Sequence, residues 1–332
     1  MTVTAVAPGR VNLIGDHTDY TGGLALPMAI DLSTTVTGER GGDEIVLRSA
    51  DEPELAQLPL RVIDPAAVEP AWARYVAGII AELRPTIGFT GTVSTTIPVG
   101  AGLSSSAALE LAVALVLGSP ADPLALALLG QRAEQRASGV PCGVMDQLAS
   151  ASGVEGHALL LDCHSLTVTP VPVPDDVDVV VIHSGEGRRL AGSGYAERRT
   201  ECEAAELIVG PLRLLRDPTD LDPITDPVLR GRAHHVVTEN ARVWAFVEAL
   251  DAGDVATAGQ VMQDSHTSLA RDFGVSTPTV DALVQRLAST RGVHGVRMTG
   301  GGFGGCVVAL TEPGVLSEGW TVHAGPGARR TS

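Results

Sequence analysis

The segment 97–118, IPVGAGLSSSAALELAVALVLG, constrains the fold of this chain more than any other. It passes from a short β-like stretch through Gly100 and Gly102 into a helical pattern, residues 104–117, in which nearly every position is apolar. A helix without a polar face reads as a core element. Its start reads as an anion site: glycines let backbone approach closely, and the unpaired N–H groups of a first helical turn, with the helix dipole, face an oxyanion such as phosphate. Ser104, Ser105 and Ser106 supply more hydroxyls than one N-cap uses, which leaves hydroxyls for phosphate or a metal ion. A glycine turn leading into a capped core helix is the competing reading of the same residues.

Around this helix, segments 2–6, 33–37, 45–48 and 90–97 read as strands and 123–137 as a second helix, so the N-terminal half is α+β. Further on, HALLLDC, TVTPVPVP and DVDVVVIHSG suggest more strands, and 194–208 and 231–274 are helical, with Gly253 and Gly274 near helix ends. The proline-rich stretch 210–230 reads as a connection, and a strand pair, GVRMTG and CVVALT, flanks the run GGGFGG. At 332 residues the chain exceeds what a single core usually sustains. Two lobes, 1–175 and 176–332, are expected, with a site between them.

Charge and chemistry narrow the function. A net charge of -16 opposes nucleic acid or anionic lipid as a partner. All 23 basic residues are arginines. The absence of lysine excludes a Schiff base, pyridoxal phosphate attachment and the lysine-dependent nucleotide P-loop. Cys142, Cys163, Cys202 and Cys306 lie far apart, with no metal-ligand spacing, and read as reduced thiols. No leader-like segment opens the chain and no apolar run reaches the ~18 residues of a membrane span. A cytoplasmic, monomeric protein that handles small molecules is the expectation.

A second unusual segment lies at 6–27, VAPGRVNLIGDHTDYTGGLALP, which crowds Arg10, Asn12, Asp16, His17, Asp19 and Tyr20 between apolar runs. Polyphosphate brings Mg²⁺, a cation that takes few carboxylates and keeps several waters. Glu134 is a candidate ligand, equally readable as a solvated helix residue. Asp146, in GVPCGVMDQLASASG, is a candidate acid, equally readable as a cap on the following helix. GGGFGG, residues 300–305, is explained as well by a tight hairpin as by a ligand.

Three segments, GRVNLIGDHTDYTGGLALPMAI, IPVGAGLSSSAALE and RMTGGGFGGC, resemble in order and spacing the signature motifs of the GHMP small-molecule kinases. The first resembles the galactokinase branch, as does PCGVMDQ, and similarity extends through GSGYAERRTECEAA, RAHHVVTEN and SHTSLARDFGVSTPTVDAL to cover most of the chain. The resemblance implies a two-lobed GHMP kinase fold, with an N-terminal lobe of ribosomal-protein-S5-like type and a C-terminal lobe derived from a ferredoxin-like one. It implies an ATP-dependent transfer of phosphate to the anomeric hydroxyl of galactose. On that resemblance, Gly100, Ala101, Gly102, Leu103, Ser104, Ser105 and Ser106 bind ATP, and Ser106 and Glu134 hold Mg²⁺. Asp146 and Arg10 are catalytic, while Asp16, His17, Thr18, Asp19, Gly143 and Tyr195 bind the sugar. By analogy of fold alone, residues between 45 and 80 line the adenine pocket.

A kinase for another pyranose, such as arabinose or an amino sugar, and a non-catalytic sugar and ATP sensor are the alternatives; the intact GLSSSAA favours catalysis. One departure stands out. Where the family usually carries Glu, this chain has Asp16, one methylene shorter and withdrawn by roughly 1.5 Å on a fixed backbone. The loop shifts, a water bridges, or the preferred sugar changes.

Overall fold

The computed structural model describes residues 2–98, 100–187 and 191–331, leaving Val99 of the glycine turn outside. The chain opens with β1 (Thr2–Asn12), β2 (Leu24–Ala25), β3 (Pro27–Arg40), β4 (Glu44–Ser49) and β5 (Ala56–Pro59). There follow α1 (Ala73–Leu83), β6 (Phe89–Thr95), α2 (Ser105–Leu117), α3 (Pro123–Ser138) and α4 (Met145–Ser152). The next segment holds β7 (His157–Asp162), β8 (Thr167–Pro172), β9 (Asp178–His183), α5 (Ala191–Val209), α6 (Pro227–Asp251) and α7 (Val255–Ser268). It ends with α8 (Pro278–Ala288), β10 (Val293–Thr299), β11 (Cys306–Thr311), β12 (Trp320–Val322) and β13 (Arg329–Arg330).

Three sheets result. Their orders are β13-β1-β3-β6-β4-β5, β10-β11-β9-β12 and β2-β7-β8. Pairing is antiparallel except between β4 and β6. The helix that opened the sequence argument, α2, is buried at every residue from Ala107 to Val116, including Glu110. β9 and β11 are apolar on both faces because both are covered: Val179, Val181 and Val308 belong to the large cluster shared with the six-stranded sheet, while Val180, Ile182 and Val307 belong to a second cluster with α5, α6 and α8. The chain then turns back on itself. Ala324 bridges to Ile30, and β13 pairs with β1.

Helix starts follow local chemistry. Asp122, Asp226, Asp254 and Thr277 each accept a hydrogen bond from a first-turn amide, and Pro123, Pro227 and Pro278 open three of those helices. The expected connection 210–230 is therefore too long, since α6 begins at Pro227. Within it lie two short 3₁₀ turns, Leu212–Leu214 and Pro218–Leu221. The helical stretch 231–274 breaks at Gly253 into α6 and α7 and ends in a π-turn, Leu269–Phe273, capped by Gly274. β1 runs past its expected end at residue 6. A bulge between Pro8 and Arg10 absorbs the register change there. A Cβ on Gly9 would lie 2.5 Å from the Leu103 carbonyl oxygen, so glycine lets the loop before α2 dock on β1.

Candidate active site

Gly100 and Gly102 take positive φ, 78° and 72°, and Ser104 joins them at 58°, so the chain curls before α2 begins. None of the three serines caps the helix. Ser104, at the N-cap position, makes no capping bond; its Oγ donates instead to Asp146 Oδ2 at 2.6 Å, and Ser106 Oγ donates to Glu134 Oε1 at 3.0 Å. The capped-helix reading of this loop is thereby replaced. Gly100, Gly102 and all three serines line a cavity of about 550 Å³ that also meets Arg10, Glu134 and Asp146. Ala101 and Leu103 turn their side chains into the core.

Asp146 lies in the first turn of α4 and caps nothing. It takes a two-pronged contact from Arg10, Nε to Oδ1 at 2.8 Å and Nη2 to Oδ2 at 2.6 Å, while Arg10 Nη1 donates to the Gly102 carbonyl at 2.8 Å. Bidentate pairing fixes both planes as well as the distance. Arg10 is 5% exposed, so its charge acts in a poorly hydrated setting. Asp146 faces two cavities, that of the serine loop and a neighbouring one of about 330 Å³.

The second cavity is lined by Asp16, His17, Asp19, Gly143, Tyr195, Gly300 and Gly301, together with Arg10 and Asp146. Thr18 does not line it; fully buried, its hydroxyl binds the Gly15 and Leu24 carbonyls and closes the loop. His17, at φ 64°, packs with Tyr20, Tyr195 and Phe273, and burial drives its pKa down to about 3, which keeps it neutral. Burial, reinforced by the charge of Asp146, pushes Asp19 up to about 7. Gly143 leaves room for it: a Cβ there would sit 1.8 Å from Asp19 Oδ2 and would force that carboxylate to move. The glycine run 300–305 is a hairpin turn between β10 and β11, as one of its two readings had it, and it also serves the site. Gly300 N donates to Asp16 Oδ1 at 3.0 Å.

Asp16 is 1% exposed, and its other oxygen lies 2.7 Å from Nη1 of Arg297, a fully buried residue on β10. Its short side chain is thus anchored away from the cavity as well as facing it. Burial raises its pKa, with Arg297 opposing.

Behind Glu134 lies a chain of buried polar groups that the sequence reading missed. Gln147 Nε2 bridges Glu134 Oε2 and Glu110 Oε2, the latter at 3.2 Å. Burial, then the Asp146 charge, lifts Glu134 to about 7, and Glu110 lies well above the usual range for the same first reason, with Glu134 next. A signal for Glu110 existed, since it is the sole charged residue in the apolar helix α2. Among the described residues no group of three or more His, Cys, Asp or Glu could by itself hold a metal.

A third cavity, about 500 Å³, adjoins the serine loop through Ser105 and Ser106. It is walled by Trp72, Tyr75, Val93 and Leu109.

The galactokinase galactose-binding signature matches residues 2–40, the GHMP kinase N-terminal domain residues 74–154, and the GHMP kinase C-terminal domain residues 246–318. Lactococcus lactis galactokinase, solved with galactose, is 32% identical at a TM-score of 0.90, the match covering 99% of this chain and 95% of that one. More distant structures share the fold. Methanococcus jannaschii mevalonate kinase is 22% identical at a TM-score of 0.67, over 94% of this chain and 90% of that one. L. major mevalonate kinase is 17% identical at 0.64, over 97% and 96%. With its signature segments converging on one pair of cavities and a full-length relative at this identity, the chain belongs to the galactokinase family of GHMP kinases.

Proposed function

We propose that this protein transfers the γ-phosphoryl group of ATP to the anomeric C1 hydroxyl of galactose, giving galactose 1-phosphate and ADP. One observation carries the reading: the Arg10–Asp146 pair stands where a cavity rimmed by hydrogen-bonding side chains meets a cavity lined by a helix N-terminus. A sugar presents hydroxyls around its whole rim, and Asp16, His17, Asp19, Tyr195 and the backbone about Gly143 and Gly300 supply fixed partners for them. The triphosphate suits the turn 100–106 and the first-turn amides of α2. Its base suits the cavity of Trp72 and Tyr75, whose rings adjoin polar groups such as Asp51, Glu52 and Arg74; these five lie within the 45–80 region expected from fold analogy.

In the transfer, the bond from the sugar O1 to the γ-phosphorus forms as the bond from that phosphorus to the β,γ-bridging oxygen breaks. Asp146 orients the C1 hydroxyl and takes its proton. Arg10 holds Asp146 in place and offsets the negative charge gathered between the two cavities. The transition state of phosphoryl transfer is loose, so positioning and charge neutralisation supply most of the acceleration.

The residues present fit Mg²⁺. Ser106 and Glu134 offer one hydroxyl and one carboxylate at the phosphate cavity, a donor set suited to a cation that otherwise prefers water and phosphate oxygens. The half-buried Glu134 feels the charge of Asp146, and among the described residues it makes no ion pair, Arg10 acting on it only as a weaker opposing charge; a divalent ion would correct that imbalance. When bound, the ion neutralises phosphate charge. We take the N-terminal lobe as 1–175, the C-terminal lobe as 176–332, and the enzyme as a cytoplasmic monomer.

The test is incubation of the protein with Mg·ATP and a panel of free sugars while ADP release is followed. Release with galactose supports the reading. Release only with another sugar, or saturable sugar binding without ADP, overturns it.

A further inference from the structure

Helix α6 and strand β10 meet the sugar-facing loop from behind with more buried charge than the transfer uses. His235, Glu239 and Asn240 share one face of α6 and are almost entirely buried. His235 Nε2 lies 3.1 Å from the Asp16 carbonyl oxygen, Gly15 N donates to Glu239 Oε1 at 3.0 Å, and Leu24 N donates to Asn240 Oδ1 at 2.8 Å. Arg297 Nη1, besides its ion pair with Asp16, donates to the Leu13 carbonyl at 3.1 Å, and its Nη2 lies 3.6 Å from Glu239 Oε1. Glu239 also accepts from Ser265 Oγ at 2.6 Å and Arg242 Nε at 2.7 Å. Two carboxylates and two guanidiniums form a charge-balanced network, buried except at Arg242, and one end of it, Asp16, lines the sugar cavity.

Buried ion pairs are weak sources of stability, because desolvation offsets their attraction. A network of this kind is better explained by what it positions. Resting on the sugar-site reading above, we propose that Arg297 is a positioning residue for the sugar cavity: its ion pair with Asp16 sets how far that side chain reaches and keeps it a hydrogen-bond acceptor. The rim of the pocket at Asp16 is then fixed from the far side of the loop, by a residue that no sugar touches.

The groups around Asp16 are Arg10 from β1, His17 and Asp19 from its own loop, His235, Glu239 and, beyond them, Arg242 from α6, and Arg297 from β10. Burial raises Asp16, and Arg297 is the largest influence holding it down. Without Arg297, Asp16 and Glu239 are left with less positive charge, and Asp16 holds its proton to higher pH than in the wild-type protein. A neutral acid is the weaker partner for a sugar hydroxyl. Rising pH restores the carboxylate.

Arg297→Met and Arg297→Lys test this through the Michaelis constants for sugar and ATP, kcat, and the ¹³C carboxyl signal of Asp16, assigned with Asp16→Asn. The methionine variant raises the sugar KM roughly tenfold, an effect that shrinks as pH rises, leaves the ATP KM within about twofold, and moves the Asp16 titration to higher pH than in wild type. Lysine keeps the charge but lacks the fork, so its sugar KM and its Asp16 signal fall between methionine and wild type. Equal rises in both Michaelis constants, a fall in kcat without a change in sugar KM, or an unchanged Asp16 signal overturns the proposal. If the methionine variant does not fold, wild-type values in the lysine variant do so. A wild-type protein that turns over no sugar sinks the functional reading instead, and the Asp16 titration still decides the role of Arg297.

Discussion

Replacing Gly143 with alanine tests the geometry of the sugar cavity at its tightest point. The added methyl would lie 1.8 Å from Asp19 Oδ2 and 2.4 Å from its Cγ. Nonbonded heavy atoms settle about 3.5 Å apart, so the carboxylate must retreat by roughly 1.5 Å or swing to another rotamer. Either movement takes Asp19 out of hydrogen-bonding range of a sugar held by the remaining rim. In assays above about pH 7, where Asp19 is ionised, a hydrogen bond to its charged carboxylate contributes about 1.5–3 kcal/mol, so the galactose KM rises roughly 10- to 100-fold. The contact of Arg10 with Asp146 is not part of the clash, and kcat falls by less than KM rises. Initial rates of ADP release at varied galactose and saturating Mg·ATP measure both. Asp19→Gly supplies the control, since in that background the methyl meets neither the carboxylate nor the Cβ that lies 3.1 Å away, and its cost disappears. A galactose KM within about twofold of wild type, or an undiminished cost of Gly143→Ala in the Asp19→Gly protein, would refute the reasoning.

Asp19 also predicts a pH dependence. With burial lifting it to about 7, the folded protein keeps a proton that the unfolded chain loses near its ordinary value of 3.8, so the contribution of Asp19 to stability declines as pH rises from about 4 to about 7. The melting temperature of Asp19→Asn should therefore gain on wild type across that window, and a constant difference would count against the assignment. Gln147→Leu strips the bridge between the buried Glu110 and the half-buried Glu134, leaving both carboxyl groups without their shared donor. Urea unfolding should register a loss of about 1–3 kcal/mol, and Mn²⁺ binding followed by its paramagnetic signal should weaken; an unchanged midpoint with unchanged Mn²⁺ affinity would remove Gln147 from this role.

The parts of the site legible in the sequence are those whose chemistry is local. Glycines at 100 and 102 followed by an apolar helix fix both a turn and a buried element, and α2 forms where the pattern placed it. What Asp146 does was not legible in that way. An aspartate at the start of a helix has capping as its nearest local option, and only the approach of Arg10, 136 residues away in the chain, redirects it. Distance in sequence likewise hid the face of α6: His235, Glu239 and Asn240 bind backbone groups more than 200 residues upstream, and nothing in RAHHVVTEN specifies which side of its helix meets that loop. The three serines show the same limit. One cap with hydroxyls to spare was the expectation, whereas no serine caps, and the partners of Ser104 and Ser106, Asp146 and Glu134, come from other elements. Helix α8 is a different case, since Thr277 followed by Pro278 and spaced apolar residues is a local start signal that could have been used.

The account depends most on Asp146 acting on the sugar hydroxyl at the junction of the two cavities. Single-turnover phosphorylation of galactose by Asp146→Asn, with calorimetric affinities for galactose and ATP measured on the same protein, tests this directly. The predicted result is a transfer rate lower by roughly 10² to 10⁴ with both ligands still bound. Transfer at close to the wild-type rate would contradict it.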